Sequence, residues 1–138
     1  MRLQILDQGH RPIQKMFISL LTRIMDGFVP GPVLIQSYRA PFFGKPFNDC
    51  VEGALRGTQF WQKKEAELFA AFVSKNNQCQ FCMDAHTAVS SQGIDQSIVK
   101  AVLTNWKTAP VNDKVKATLQ FLEKLTRTPN KVTRAAEY

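Results

Sequence analysis

The sequence predicts an all-helical chain. Apolar residues recur every three to four positions through most of the 138 residues. No segment has the alternation of a half-buried strand, or the strand and helix succession found around a thioredoxin active site. Pro, Gly and Asn fall between the periodic segments, where helices stop and start.

The first predicted helix opens near Pro12, whose fixed φ suits a first helical position. It carries Ile13, Met16, Phe17, Leu20, Leu21, Ile24, Met25 and Phe28 at helical spacing, a strongly amphipathic pattern. Asp26-Gly27 and Pro30-Gly31-Pro32 end it in a turn. Val33-Leu34-Ile35 reads as a short helix or an extended piece, and Pro41, Gly44 and Pro46 bracket a loop carrying Phe42 and Phe43. A helix follows from Phe47 through Val51, Ala54, Leu55 and Thr58, weakened by Gly53 and Gly57.

Trp61, Glu65, Leu68, Phe69, Phe72 and Val73 define the next helix, which ends at Asn76-Asn77, residues that tolerate left-handed and capping conformations. A helix from about Gln78 carries Cys79, Cys82, Ala85, His86 and Val89, with Gly93 placed to end it. Two more are predicted, over about residues 95 to 105 with Ile98, Val99, Val102 and Leu103, and from about Asn112 through Val115, Leu119, Leu122 and Leu125. The chain stops soon after Pro129, so the closing helix needs the termini or another subunit to cover it.

A hydrophobic fraction of 44% with 21% charged residues is that of a globular protein, and 138 residues suffice for one domain, residues 1–138, with a real core. The net charge is +7, but Lys and Arg are scattered and form no dense block. This reads as a solvated basic surface and not as a nucleic-acid site. Three cysteines are too few for a secreted disulfide scaffold and fit a reducing, cytoplasmic setting. The N-terminal residues have no signal-peptide pattern, and no apolar run approaches the roughly 18 residues of a membrane span. The chain reads as soluble and unprocessed, with no membrane partner.

The chemistry concentrates in Cys79-Gln80-Phe81-Cys82-Met83-Asp84-Ala85-His86. Residues three or four apart on a helix are neighbours, so Cys79 meets Cys82, and Cys82 meets His86 one turn on. A free thiol titrates near about 8.5, and a helix N-terminus or an imidazolium lowers that value. A thiolate there can attack a peroxide to give a sulfenic acid, which a second thiol condenses to a disulfide for a reductant to reopen. Two other readings stay open. Two buried cysteines can sit a turn apart as small apolar residues. Two thiolates and an imidazole also supply three of the four ligands of a structural zinc, although Cys50 and His10 are the only spare soft ligands and neither stands in a paired motif.

The run from Glu67 through Val73-Ser74, Asn76-Asn77 and Cys79-Gln80-Phe81-Cys82 to His86 resembles the core of the AhpD-like alkylhydroperoxidases of the carboxymuconolactone decarboxylase superfamily. The shared pattern is a glutamate twelve positions before the first cysteine, a Val-Ser, an Asn-containing turn, Cys-x-x-Cys, and a histidine four beyond the second cysteine. Weaker resemblance runs through Gly93 and into Leu122 to Thr133. The resemblance implies an AhpD-like all-helical subunit that forms trimers or hexamers. It also implies a hydroperoxide-reducing peroxidase that uses no cofactor and is recycled by a lipoyl- or thioredoxin-like dithiol reductant. By position, Cys82 is oxidised, Cys79 resolves it and supplies a proton, and His86 with Glu67 forms the proton relay. The decarboxylase branch does not use this dithiol.

Periodicity alone does not select Glu67. Glu65 falls within the Trp61, Leu68 and Phe72 stripe, whereas Glu67 shares a side with Ala70, Ala71 and Ser74 that could let the cysteine helix approach closely. Some relatives have a histidine where this chain has Phe81, and many continue beyond the point where it ends at Tyr138. Within redox chemistry the alternative is a general thiol-disulfide oxidoreductase. Outside it, the rival is a basic helical module held by zinc at Cys79, Cys82 and His86 and binding nucleic acid. Cys50 reads as a buried apolar residue, His10 as a surface residue, and the Phe and Trp residues as core or subunit-contact groups.

Overall fold

A computed structural model describes residues 4–56 and 60–132. Gly57, Thr58, Thr133 and Tyr138, named above, lie outside the described residues. The helices are α1 (Ile5–Gln8), α2 (Pro12–Ile24), α3 (Gly31–Tyr38), α4 (Lys45–Arg56), α5 (Lys63–Asn76), α6 (Gln80–Ser90), α7 (Gln96–Asn105) and α8 (Asp113–Arg127), with no strand among the described residues. By internal contacts the chain divides into two compact units, Met1–Gly53 and Ala54–Tyr138.

In the first unit Pro12 takes the predicted first position of α2, and the helix unwinds through Asp26 and Gly27, both at positive φ. Here α3 contacts α1 and α2. Among the described residues only Leu6, His10, Pro30 and Leu34 are buried in this unit. The apolar stripe of α2 is left open: Ile13 is 78% exposed, and Met16, Phe17, Leu20 and Ile24 are exposed with it.

Three expectations are corrected in this unit. The segment from Pro41 to Pro46 is not a loop, because a π-helical turn over Ala40–Gly44 runs directly into α4. Proline lacks only an N–H that the first turn of a helix leaves unused, so Pro41 and Pro46 are tolerated at such starts. His10 is buried, 6% exposed, with Nε2 3.0 Å from the Leu34 carbonyl oxygen and its ring edge-on to Tyr38. Its polar neighbours in sequence concealed a hydrogen-bond partner 24 residues away. Cys50 is exposed and free on α4.

The second unit holds the larger core: Leu68, Phe69 and Phe72 of α5, Val99 and Val102 of α7, Ala109, and Val115 and Leu119 of α8. Trp61 and Trp106 pack against it, Trp61 edge-on to Phe69 at 5.0 Å. Both therefore serve as packing groups. The caps are local and legible: the Asp95 carboxylate accepts from the Ser97 N–H, and the Asn112 side chain from the Val115 N–H. α5 contacts α6, α7 and α8, most extensively α6. Leu125 near the end of α8 is exposed.

Candidate active site

The site is built at the junction of α5 and α6. The last turn of α5 closes with the Gln78 N–H on the Lys75 carbonyl and the Cys79 N–H on the Ser74 carbonyl, at 3.0 and 2.9 Å. This is a Schellman closure, and its left-handed residue is Gln78, at φ 57°. Asn77 stays at negative φ, so neither Asn of the predicted pair supplies the left-handed turn. Asn76 instead donates from Nδ2 to the Phe72 carbonyl, and its Oδ1 accepts from Nε of Arg127 on α8. The closure delivers Cys79 in extended conformation as the N-cap of α6, which starts at Gln80, two residues later than predicted.

Cys79 and Cys82 are joined as a disulfide with Cα atoms 5.4 Å apart. Both are partly buried, at the N-cap and in the first turn of α6, where unpaired helix N–H groups favour negative charge. The pair therefore sits where a thiolate, once the disulfide opens, is stabilised by the backbone.

One turn beyond Cys82, His86 lies against Glu67 of α5, with Nδ1 2.6 Å from Oε2. The Glu67 residue is 2% exposed, and the His86 side chain 28%. A carboxylate only accepts, so in this contact Nδ1 carries the ring proton and donates it, leaving Nε2 as the nitrogen able to take one. Burial on the Glu67 side strengthens the contact, since little water screens the carboxylate.

Glu67 comes to this position because its side of α5 is lined by small buried residues. Ala71 is fully buried and Ser74 nearly so, and α6 packs closely along α5. Farther along, the Ser90 hydroxyl donates to the Lys64 carbonyl at 3.0 Å, and a Cβ added at Gly93 would lie 2.9 Å from Cδ of Lys64. The two helices are thus held together beyond the Glu67 and His86 contact. Glu65 acts elsewhere, its Oε2 accepting from the Gln62 N–H at 2.9 Å and so capping the start of α5.

The structure joins Cys79, the N-cap of α6, to Cys82, and sets Glu67 of α5 against His86 of α6, one turn beyond Cys82; it gives Cys50 and His10 to the other compact unit. Ser90 was not singled out from the sequence; a small polar residue one turn beyond His86 was the available signal. Among the described residues no group of three or more His, Cys, Asp and Glu side chains is arranged to hold a metal ion.

No protein-family model and no curated protein matches the chain. Solved structures do match, two of them as follows. One is an uncharacterized peroxidase-related protein from Silicibacter sp. TM1040, at 23% identity and a TM-score of 0.72, over 91% of this chain and 66% of that one. The other is an alkylhydroperoxidase AhpD core, an uncharacterized peroxidase-related protein from Ralstonia eutropha JMP134, at 22% identity and a TM-score of 0.70, over 94% and 67%. The chain spans about two thirds of the length of each. At these identities the likeness speaks to architecture, and it agrees with the helices described above: this chain has the AhpD-like all-helical fold, with Cys-x-x-Cys at the start of α6.

Proposed function

We propose that the protein is a thiol-dependent peroxidase that reduces hydroperoxides through a dithiol and disulfide cycle at Cys82 and Cys79. The observation that carries the reading is the joining of these cysteines at the head of α6, one turn from an imidazole held by a buried carboxylate. The peroxidase-related names of the two structural neighbours support it.

In the reduced state His86 Nε2 takes the proton of the Cys82 thiol, with Glu67 holding the ring and stabilising the imidazolium. The thiolate attacks the outer peroxide oxygen. The S–O bond forms as the O–O bond breaks, and the departing alkoxide takes a proton to leave as the alcohol. The Cys79 thiol then attacks the sulfenic sulfur, water leaves, and the disulfide forms. The net change is one hydroperoxide and two thiols converted to one alcohol, one water and one disulfide. A lipoyl- or thioredoxin-like dithiol restores the thiols by exchange. The assignment of attack to Cys82 draws on the family resemblance, and its position one turn from His86 supports it.

The protein acts, in this reading, as one catalytic domain in a cytoplasmic homo-oligomer of three or six subunits. The open apolar stripe of α2 supports self-association, because an exposed apolar helix face is stabilised by a covering partner. The alternative of a general thiol-disulfide oxidoreductase uses the same groups and differs in meeting little peroxide.

Free thiols titrated before and after one equivalent of hydroperoxide test the reading, with wild type beside Cys82→Ser and Cys79→Ser. Wild type is expected to lose two thiols per subunit, and Cys79→Ser to stop at a sulfenic acid trapped by dimedone. No thiol loss in wild type refutes the peroxidase. A first oxidation blocked by Cys79→Ser but not by Cys82→Ser reverses the roles.

A further inference from the structure

A groove of about 780 Å³ in the second unit is walled by Lys75 of α5, Met83 and Thr87 of α6, and Gln96, Ser97, Lys100, Leu103 and Thr104 of α7; Cys79, Cys82, His86 and Glu67 are not part of its lining. Its size is that of a small-molecule site. Met83 directly follows Cys82 and Thr87 directly follows His86, so at 3.6 residues per turn the groove runs along the stripe of α6 next to the one carrying the sulfur and the imidazole.

The lining has a definite charge. It contains two ammonium groups and no carboxylate. The Lys75 ammonium is committed, donating to the Leu103 carbonyl. The Lys100 side chain is exposed on α7 and has no side-chain partner among the described residues. The nearest acid in sequence, Asp95, is engaged by the backbone N–H and the hydroxyl of Ser97. Met83 and Leu103 supply apolar wall. Thr87 adds a hydroxyl that is buried without a hydrogen-bond partner among the described residues.

Resting on the peroxidase reading, we infer that this groove selects hydroperoxides of amphipathic carboxylic acids. The carboxylate pairs with Lys100, the hydrocarbon chain lies on Met83 and Leu103, and the hydroperoxide group is carried toward Cys82. Charge complementarity commits the groove to an anion, and the apolar wall commits it to a chain longer than that of a free inorganic anion. The reaction is unchanged in balance: the carboxylate is a spectator, and the products are the hydroxy acid, water and the disulfide.

The test separates binding from chemistry. Calorimetry on the full chain compares decanoate, decanol and decyltrimethylammonium below their micelle concentrations, for wild type, Lys100→Gln and, as an equal charge change outside the groove, Lys131→Gln. Decanoate is expected to bind best and to weaken with salt. Lys100→Gln is expected to lower its affinity by roughly two- to fivefold, the range of a solvent-exposed ion pair, and Lys131→Gln to leave it unchanged. In parallel, thiol loss is followed with a fatty-acid hydroperoxide and with neutral cumene hydroperoxide, the ratio of the two rates falling in Lys100→Gln.

Equal binding of the three amphiphiles, or a decanoate affinity indifferent to Lys100, overturns the inference. If cumene hydroperoxide still oxidises the thiols in that case, the peroxidase reading stands. Charge-selective decanoate binding with no thiol loss to either hydroperoxide refutes the peroxidase, and with it the substrate assignment.

Discussion

Replacing Glu67 by Gln keeps the shape of the side chain and removes its charge, which isolates what the buried carboxylate does for His86. The contact is 2.6 Å long and the Glu67 residue 2% exposed, so it belongs with charge-assisted bonds in a water-poor setting. Such a bond contributes about 1.5–3 kcal/mol against about 0.5–1.5 kcal/mol for a neutral one. The difference, roughly 1–1.5 kcal/mol in stabilising the imidazolium, is about tenfold in rate. A second effect acts in the same direction. The Gln amide can donate to Nδ1, which moves the ring proton to Nε2 and removes the proton acceptor that the proposed relay uses. General base catalysis contributes about 10²–10⁴-fold, so the loss in the first oxidation step is expected to run from about tenfold, where the ring keeps its tautomer, to about 100-fold or more, where the base is lost. Stopped-flow thiol loss with one equivalent of hydroperoxide measures it, with urea midpoints checking that the fold persists. Glu65→Gln is the comparison, because Glu65 caps α5 and a Gln can do the same. Wild-type oxidation by Glu67→Gln, or a larger loss in Glu65→Gln than in Glu67→Gln, would refute the relay.

The Schellman closure that sets Cys79 in place predicts a stability order at Gln78, whose φ of 57° costs an L-residue about 1–2 kcal/mol. Gln78→Gly removes that cost against about 0.5–1 kcal/mol of extra backbone entropy, a net gain of up to about 1.5 kcal/mol, whereas the β-branched Gln78→Val is expected to lose about 1 kcal/mol or more. Urea denaturation of the three proteins reads the order, and equal midpoints for Val and Gln would contradict it. The Asp95 carboxyl is held below its ordinary value by the hydroxyl and the backbone N–H of Ser97. A lowered pKa in the folded state gives stability that is complete above the ordinary carboxylate value and is lost as pH falls through the folded one. Wild type is therefore expected to lose stability relative to Asp95→Asn only on acidification below about pH 4. Parallel pH profiles for the two proteins would show that the Ser97 contacts do not hold the charge.

Helices α5, α7 and α8 were legible because each carries buried apolar residues at helical spacing and a punctuating residue at a boundary, Asn76 at the end of α5, Asp95 at the start of α7 and Asn112 at the start of α8. The stretch from Pro41 to Pro46 was misread because prolines and a glycine signal a break equally well at a helix start. His10 and Cys50 were misplaced for a related reason. The polar neighbours of His10 say nothing of Leu34, and the apolar character of a thiol says nothing of whether α4 presents it to a neighbour.

At the site itself, the sequence alone determined part of the local chemistry: Cys82 and His86, four apart, share a face of α6 because the spacing is set by the backbone, whereas Cys79, expected on the same helix, is the extended residue that caps it. The sequence could not choose between Glu65 and Glu67, since periodicity says which residues share a stripe but not which stripe meets the next helix. The tertiary structure decided that. Small residues on one side of α5 admit α6, which buries Glu67 against His86 and leaves Glu65 to cap its own helix. The groove walled by Met83, Thr87 and Lys100 has the same origin, because its walls come from helices that are neighbours in space and lie tens of residues apart in the chain.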